Sequence, residues 1–66
     1  MNAKIGNLVY IPSDTNLRQY KKSSPIKVLL TQAPRNLIVL EEEDGKLGVL
    51  FEGEVWYVDK KKVYNV

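Results

Sequence analysis

The chain has 66 residues, ten basic and eight acidic side chains for a net charge of +2, and neither cysteine nor histidine. This length allows one domain, residues 1–66, which buries only about 60% of its unfolded surface, so stability must come from packed strands or from association rather than from disulfides. The nearly balanced charge does not by itself indicate a nucleic-acid binder, and the apolar fraction of 44% argues against disorder.

No apolar run approaches the ~20 residues that a membrane-spanning helix needs. The N-terminal sequence MNAKIGNLVY lacks the pattern of a signal peptide. The absence of cysteine is consistent with a reducing compartment. We therefore expect a soluble protein of the cytoplasm that does not interact with a membrane.

The first predicted strand is residues 8–11, LVYI, which Pro12 ends. Residues 1–3 are expected to be a loose end, and residues 6–7, Gly-Asn, to form a turn that leads into the strand. Because side chains alternate between the two faces of a strand, two sets follow. The interior set is Ile5, Val9 and Ile11, and the exterior set is Leu8 and Tyr10.

Residues 12–25, PSDTNLRQYKKSSP, are interpreted as a long loop, because turn formers lie at both ends and polar residues lie throughout. Ordered loops of this length are often functional. The SDTN segment is expected to cap one helical turn that ends at Arg18 or Gln19, on which Leu17 and Tyr20 pack together.

Residues 26–31 are predicted to form a second strand, and residues 32–36 a short loop that contains Pro34. Alternation along the strand places Ile26, Val28 and Leu30 on one face, and Lys27 and Leu29 on the other.

Residues 37–58, LIVLEEEDGKLGVLFEGEVWYV, are predicted to form three consecutive antiparallel strands. Asp44-Gly45 favours a type I′ turn because both residues tolerate positive φ, and Glu52-Gly53 is interpreted in the same way. Counting from the first turn gives the pairs Glu43–Lys46, Leu40–Val49, Val39–Leu50 and Ile38–Phe51. Counting from the second turn gives Phe51–Glu54, Leu50–Val55, Val49–Trp56 and Gly48–Tyr57.

This register assigns every side chain of the three strands to a face, and we place Trp56 inside because it is the largest apolar side chain available to a small core. The predicted inner face is Ile38, Leu40, Val49, Phe51, Trp56 and Val58. The predicted outer face is Leu37, Val39, Gly48, Leu50, Val55 and Tyr57. The Tyr57 ring is expected to cover the glycine opposite it. A three-residue second turn would exchange the faces of the last strand.

Residues 59–62 are predicted to be a turn or one turn of helix, and residues 63–66, VYNV, a last short strand. The resulting order of strands and loops, with GNLVYI at the start and WYV followed by VY at the end, resembles the SH3-like small barrels. The resemblance covers nearly the whole chain. It implies an all-β fold, a barrel of five or six short antiparallel strands with a long loop after the first strand. The aromatic ligand pocket of eukaryotic SH3 domains is not matched, because only Tyr10 is present near the first strand.

Two stretches, GNLVYIPS and GVLFEGEVWYVDKKKVY, also resemble small uncharacterised proteins encoded by tailed phages of cyanobacteria. This resemblance implies an accessory protein in the cytoplasm of an infected bacterium, without a known activity.

The sequence offers little for catalysis, because it has no histidine, no cysteine, no phosphate-binding glycine loop and no metal-ligand spacing. The acidic run at residues 41–44 lies at a hairpin tip, where neighbouring residues of one strand converge poorly on a divalent ion. A chain of this length also has little room for a concave pocket. We predict a non-enzymatic protein that uses no cofactor and no metal.

We predict a binding or adaptor module for a protein partner, and the same surface would serve a homodimer because a marginally stable domain gains from association. The desolvated area would come from an outer apolar row, unless the loop at residues 12–25 covers that row. The row is Val39, Leu50, Val55 and Tyr57, and the predicted rim is Arg18, Tyr20 and Lys22.

The alternative is a small barrel that binds nucleic acid through phosphate contacts and an aromatic platform. The residues for this function are Lys60, Lys61, Lys62, Lys21 and Tyr64. The competing explanation of the lysine run is a solubilising turn that protects a sheet edge. The acidic tip would repel a polyanion within about 8–10 Å if it lies on the same side.

Overall fold

The structure is a computed structural model that describes residues 4–22 and 24–66, apart from the side chain of Pro25. The described part of the chain holds seven strands, one 3₁₀ turn and no α-helix. The strands are β1 Leu8–Ile11, β2 Asn16–Lys21, β3 Ser24–Leu30, β4 Arg35–Glu43, β5 Lys46–Phe51, β6 Glu54–Asp59 and β7 Tyr64–Asn65. The all-β class is confirmed, and the expected strand count of five or six is too low. The loose end predicted for residues 1–3 lies outside the described residues.

The described strands form one antiparallel sheet in the order β3-β2-β6-β5-β4-β1-β7. The sheet is open, since β3 and β7 are its two edges. One face of the sheet supplies a single core to which β1, β2, β4, β5 and β6 all contribute. The core side chains are Val9, Ile11, Leu17, Val39, Leu47, Val49, Phe51, Trp56, Val58 and Val63.

Both predicted tight turns are present. Asp44 and Gly45 have φ values of 49° and 78°, and Glu52 and Gly53 have 52° and 79°. Positive φ at both central positions is the type I′ geometry, whose twist matches that of the flanking strands. The four predicted pairs of the second hairpin are confirmed, including Gly48 opposite Tyr57. Trp56 lies in the core with 8% of its surface exposed.

The first hairpin departs from the predicted register beyond its tip. Glu43 pairs with Lys46 as predicted, but Val39, not Leu40, lies opposite Val49. A β-bulge between Val39 and Glu41 adds one residue to β4, and one extra residue exchanges the faces of all residues beyond it. Val39 is therefore buried, and its predicted place on the outer face is wrong. By the same shift Leu37 packs against the core, whereas Leu40 and Ile38 do not belong to it.

β1 has the predicted bounds, with Val9 and Ile11 buried and Leu8 and Tyr10 exposed. The interior prediction for Ile5 is wrong, because 66% of its surface is exposed. A turn closed by the Asn7 amide, which donates to the Lys4 carbonyl at 3.0 Å, precedes the strand. The alternation of buried and exposed side chains therefore begins only after this turn, and it does not extend back to Ile5.

Residues 12–25 are not a loop with a helical turn, because they contain β2 and the start of β3. Leu17 anchors β2 in the core. Thr15 and Thr31 close the base of this hairpin. The Thr15 amide donates to Thr31 Oγ1 at 2.9 Å, and both hydroxyl groups donate to the Pro12 carbonyl at 2.8 Å. Buried hydrogen bonds thus hold this hairpin to the end of β1.

The 3₁₀ turn predicted after the meander is confirmed at Lys60–Lys62. Asp59 caps it, since its carboxylate accepts a hydrogen bond from the Lys61 amide at 2.8 Å. β7 follows and pairs with β1, which brings Tyr64 beside Tyr10. The last strand is shorter than predicted.

Candidate protein-binding surface

The outer face of the sheet carries apolar side chains across four strands. Leu8 pairs with Ile38, and Leu50 pairs with Val55. Leu50 and Val55 are 40% and 37% exposed, so no other part of the described chain covers them fully. We name this surface the outer apolar band, and its members are Leu8, Ile38, Leu40, Leu50 and Val55.

An aromatic cluster lies on the same face, beside the band. The rings of Tyr20 and Tyr57 meet edge to face with centroids 5.7 Å apart. The Lys46 ammonium lies 4.5 Å from the centre of the Tyr20 ring, a distance at which the ring attracts a cation. The Tyr57 hydroxyl donates a hydrogen bond to the Glu41 carboxylate. Four side chains from four strands, Glu41, Tyr57, Tyr20 and Lys46, are thereby held in one chain of contacts, which we name the aromatic cluster.

Gly48 provides the space for this cluster. It lies opposite Glu41 on one side and Tyr57 on the other. A Cβ atom at this position would be 2.6 Å from Glu41 Cγ and 3.2 Å from Tyr57 Cε1. The missing side chain therefore lets the carboxylate and the phenol meet across β5, as predicted for the tyrosine ring.

The hydrogen bond from Tyr57 to Glu41, together with partial burial and the negative charges of Glu41 and Glu43, raises the pKa of Tyr57 from 10.0 to about 12. Each of these effects disfavours the phenolate, because the proton would be lost beside an anion and away from water. Tyr57 is thus a neutral donor at physiological pH. Its position depends on the acceptor that Glu41 supplies.

The structure brings together most of the predicted protein-binding residues. Arg18 pairs with Tyr57 across β2 and β6, and Tyr20 contacts Tyr57. Leu50 and Val55 are opposite each other in the band. Lys22 is exposed, in the turn after β2, with φ 51°. Val39 does not belong to the surface, because the bulge in β4 turns it into the core.

The segment at residues 12–25 reaches the outer face without closing it. Gln19 Nε2 donates to the Val55 carbonyl at 3.1 Å. A shallow concavity of about 330 Å³ remains between β2 and the tip of the first hairpin, and its aromatic wall is Tyr20 and Tyr57. Arg18 and Lys61 supply positive charge to its lining, and Asp44 and Asp59 supply negative charge.

The residues predicted for nucleic-acid binding are only partly assembled. Lys60 forms an ion pair with Glu42 of the acidic tip, so part of its charge is neutralised locally. Lys61, Lys62 and Tyr64 line a concavity of about 490 Å³, which Arg18 also lines. Asp14 and Asp59 lie in the same concavity. Lys21 is at the other end of the β2–β3 hairpin, opposite Ser24.

Sequence reasoning missed several members of this surface. The prediction that Leu40 is interior is wrong, because nothing in a run of apolar residues marks the position of a bulge. The sequence predicts Lys46 as the partner of Glu43 and Glu41 as part of the acidic run, and only the Gly48–Tyr57 pair signals that a side chain can cross β5 at the glycine. Leu8 is exposed as predicted. Its partner Ile38, which the sequence places inside, extends the band to β1.

Within residues 4–22 and 24–66, no helix is long and apolar enough to cross a membrane. The same residues contain no group of three acidic side chains arranged to hold a metal ion. No protein-family model, no curated protein and no solved structure matches the chain.

Proposed function

We propose that the chain is a non-enzymatic binding module of the SH3-like barrel class, which engages a protein partner through the outer apolar band and the aromatic cluster. The class is supported by the order of the elements. β1 pairs with both β4 and β7, a three-stranded meander follows the β2–β3 hairpin, and a 3₁₀ turn leads into the last strand.

The observation that carries the function is the partial exposure of the band beside the aromatic cluster. Monomeric proteins rarely expose large continuous apolar patches unless the patch is an interaction site. Tyrosine and arginine are enriched where protein interfaces lose their water. Here Tyr57 lies two residues from Val55 on the same face of β6, and both Arg18 and Tyr20 are neighbours of Tyr57. Lys46 and Asp44 lie beside Tyr20 and Tyr57, and their charges would form part of the polar rim of such an interface.

The test is affinity capture from an extract of the native host, with the intact chain as bait. A partner that uses the band should be recovered at least about tenfold less well by Leu50→Lys and by Val55→Lys, because a charge in a desolvated interface is costly. Ile5→Lys is the matched control, since Ile5 is an exposed apolar residue outside the band. Equal recovery by all three variants would disprove the proposed surface.

A second candidate function, nucleic-acid binding, rests on one observation: Arg18, Lys61, Lys62 and Tyr64 line one concavity. Three cations around an exposed ring are suited to a phosphate backbone with a stacked base. Labelled DNA and RNA should be titrated at two salt concentrations. Affinity that falls steeply with salt and is lost in Lys61→Glu/Lys62→Glu would make this function primary. Salt-independent or absent binding would reject it.

A further inference from the structure

β3 is an edge strand with an apolar outer face. It pairs only with β2 in the sheet that residues 4–22 and 24–66 form. The three outward side chains Ile26, Val28 and Leu30 are exposed, and Val28 has 61% of its surface in solvent. An edge strand of this kind offers unpaired backbone groups and apolar side chains to another strand. The opposite edge, β7, has only two residues.

Two features of β3 restrict which strand can add to it. Pro25 has no amide hydrogen, so pairing is effective only over residues 26–30. Lys27 is the only charged side chain of β3, and it lies on the opposite face from Val28. A charge on this face is a common protection against unspecific edge pairing, because a strand that places a basic residue opposite Lys27 is repelled.

A second copy of β3 satisfies these restrictions in one register. If two β3 strands run antiparallel with Val28 opposite its own copy, Ile26 of each copy meets Leu30 of the other, and one continuous apolar row results. In the same register Lys27 faces Leu29 of the other copy. The Leu29 side chain is half-buried, so the Lys27 ammonium can extend past it into solvent. A register centred on Lys27 would place two ammonium groups directly opposite each other, which is unfavourable.

We propose that the chain forms a two-fold symmetric homodimer through β3, with Val28 on the symmetry axis. The paired edges join two seven-stranded sheets into one continuous sheet. The axis is perpendicular to the sheet, so the outer apolar bands of both copies face the same side, and the dimer presents two partner-binding surfaces at once. This inference is independent of the proposed function, because β3 contributes no residue to the band or the aromatic cluster.

The expected association is weak and concentration-dependent. Residues 26–30 span only about 17 Å of edge, and such a contact buries less than the ~800 Å² per partner of a standard interface. We expect a dissociation constant between about 10 µM and 1 mM, a range that corresponds to weak complexes. Sedimentation equilibrium of the intact chain over this concentration range measures it directly.

Val28→Lys is the decisive variant, since it places two ammonium groups on the axis and removes two apolar side chains from the row. It should raise the dissociation constant at least about 30-fold. The fold should persist, because Val28 is exposed in the monomer, and thermal unfolding of a dilute sample verifies this. A mixture of Val28→Lys and Val28→Glu should recover a heterodimer, since residue 28 meets only itself in this register.

Lys27→Glu distinguishes this register from its neighbour. Lys27 faces Leu29 in the proposed dimer, so a mixture of Lys27→Glu and unmodified chains should associate no more tightly than unmodified chains alone. A strict monomer at millimolar concentration would overturn the proposal. A dimer insensitive to Val28→Lys, or one strengthened in the Lys27→Glu mixture, would also overturn it, and a dimer lost in Leu50→Lys would assign self-association to the outer apolar band instead.

Discussion

Replacing Gly48 with alanine should destabilise the protein, although the position has an ordinary strand conformation. The added Cβ would lie 2.6 Å from Glu41 Cγ, 3.2 Å from Tyr57 Cε1 and 3.3 Å from Val55 Cγ1. Carbon atoms in good contact are about 3.5–4.0 Å apart. Glu41 must therefore move by about 1 Å, which withdraws its carboxylate from the Tyr57 hydroxyl.

The magnitude follows from two opposing contributions. Overpacking and the weakened hydrogen bond cost about 2–3 kcal/mol together. Alanine restricts the unfolded chain more than glycine does, which returns about 0.4–1 kcal/mol. Gly48→Ala should thus lower the free energy of unfolding by about 1–2.5 kcal/mol, and the melting temperature by roughly 4–20 °C for a domain of this size.

The assay is a double-mutant cycle measured by denaturant unfolding. Glu41→Ala removes the atom that the new Cβ meets first, so Gly48→Ala should cost at least about 1 kcal/mol less in that background. Gly45→Ala is the matched control, because its φ is 78° and nothing lies within 4 Å of its Cβ position. Its cost should be backbone strain alone and additive with Glu41→Ala. Additivity between Gly48→Ala and Glu41→Ala would refute the reasoning.

Three further predictions address other parts of the structure. Thr31→Val should lower the free energy of unfolding by about 2–3 kcal/mol, because it leaves the buried Thr15 amide without its acceptor. Thr15→Val removes only one hydroxyl donor, so denaturant unfolding should show a smaller loss for this variant. Glu52→Asn should raise the melting temperature by a few degrees, since asparagine tolerates the φ of 52° better than glutamate; an unchanged value would argue against turn strain. Because the folded state raises the pKa of Tyr57 to about 12, its contribution to stability is complete below pH 10 and is lost as pH rises through about 12. Glu41→Gln should move this late phenolate transition toward 10 in an ultraviolet absorbance titration, and an unmoved transition would exclude Glu41 as the cause.

The second hairpin of the meander could be predicted from sequence almost completely. An acidic residue followed by glycine marks each tight turn, and the side-chain period of two then determines every pair up to the next irregularity. Trp56 and Tyr57 were assigned to opposite faces by this count alone, and both assignments hold. Local turn chemistry was sufficient here because β5 and β6 pair without a bulge.

β2 could not be recognised in the same way. Its sequence is as polar as a loop, and Leu17 is its only core side chain. What makes the segment a strand is non-local, since the hydrogen bonds that close the hairpin join Thr15 to Thr31 and Thr31 to Pro12. Residues so far apart in sequence leave no periodic signal that a single sequence can reveal. The SDTN segment predicts a capped helical turn, but Thr15 of this segment instead closes the hairpin by hydrogen bonds to Thr31 and to the Pro12 carbonyl.

The bulge in β4 has a structural reason that also defines the candidate surface. Residues 35–38 of β4 pair with β1, whereas the residues from Val39 onward pair with β5. The extra residue thus lies where the strand changes partners, and a bulge there bends the strand and increases its twist. β1 and β6 both contribute to the same core, and the extra residue leaves Leu40 on the exposed side of β4. The irregularity that made the register unpredictable is therefore the same feature that turns Val39 inward and builds the outer apolar band.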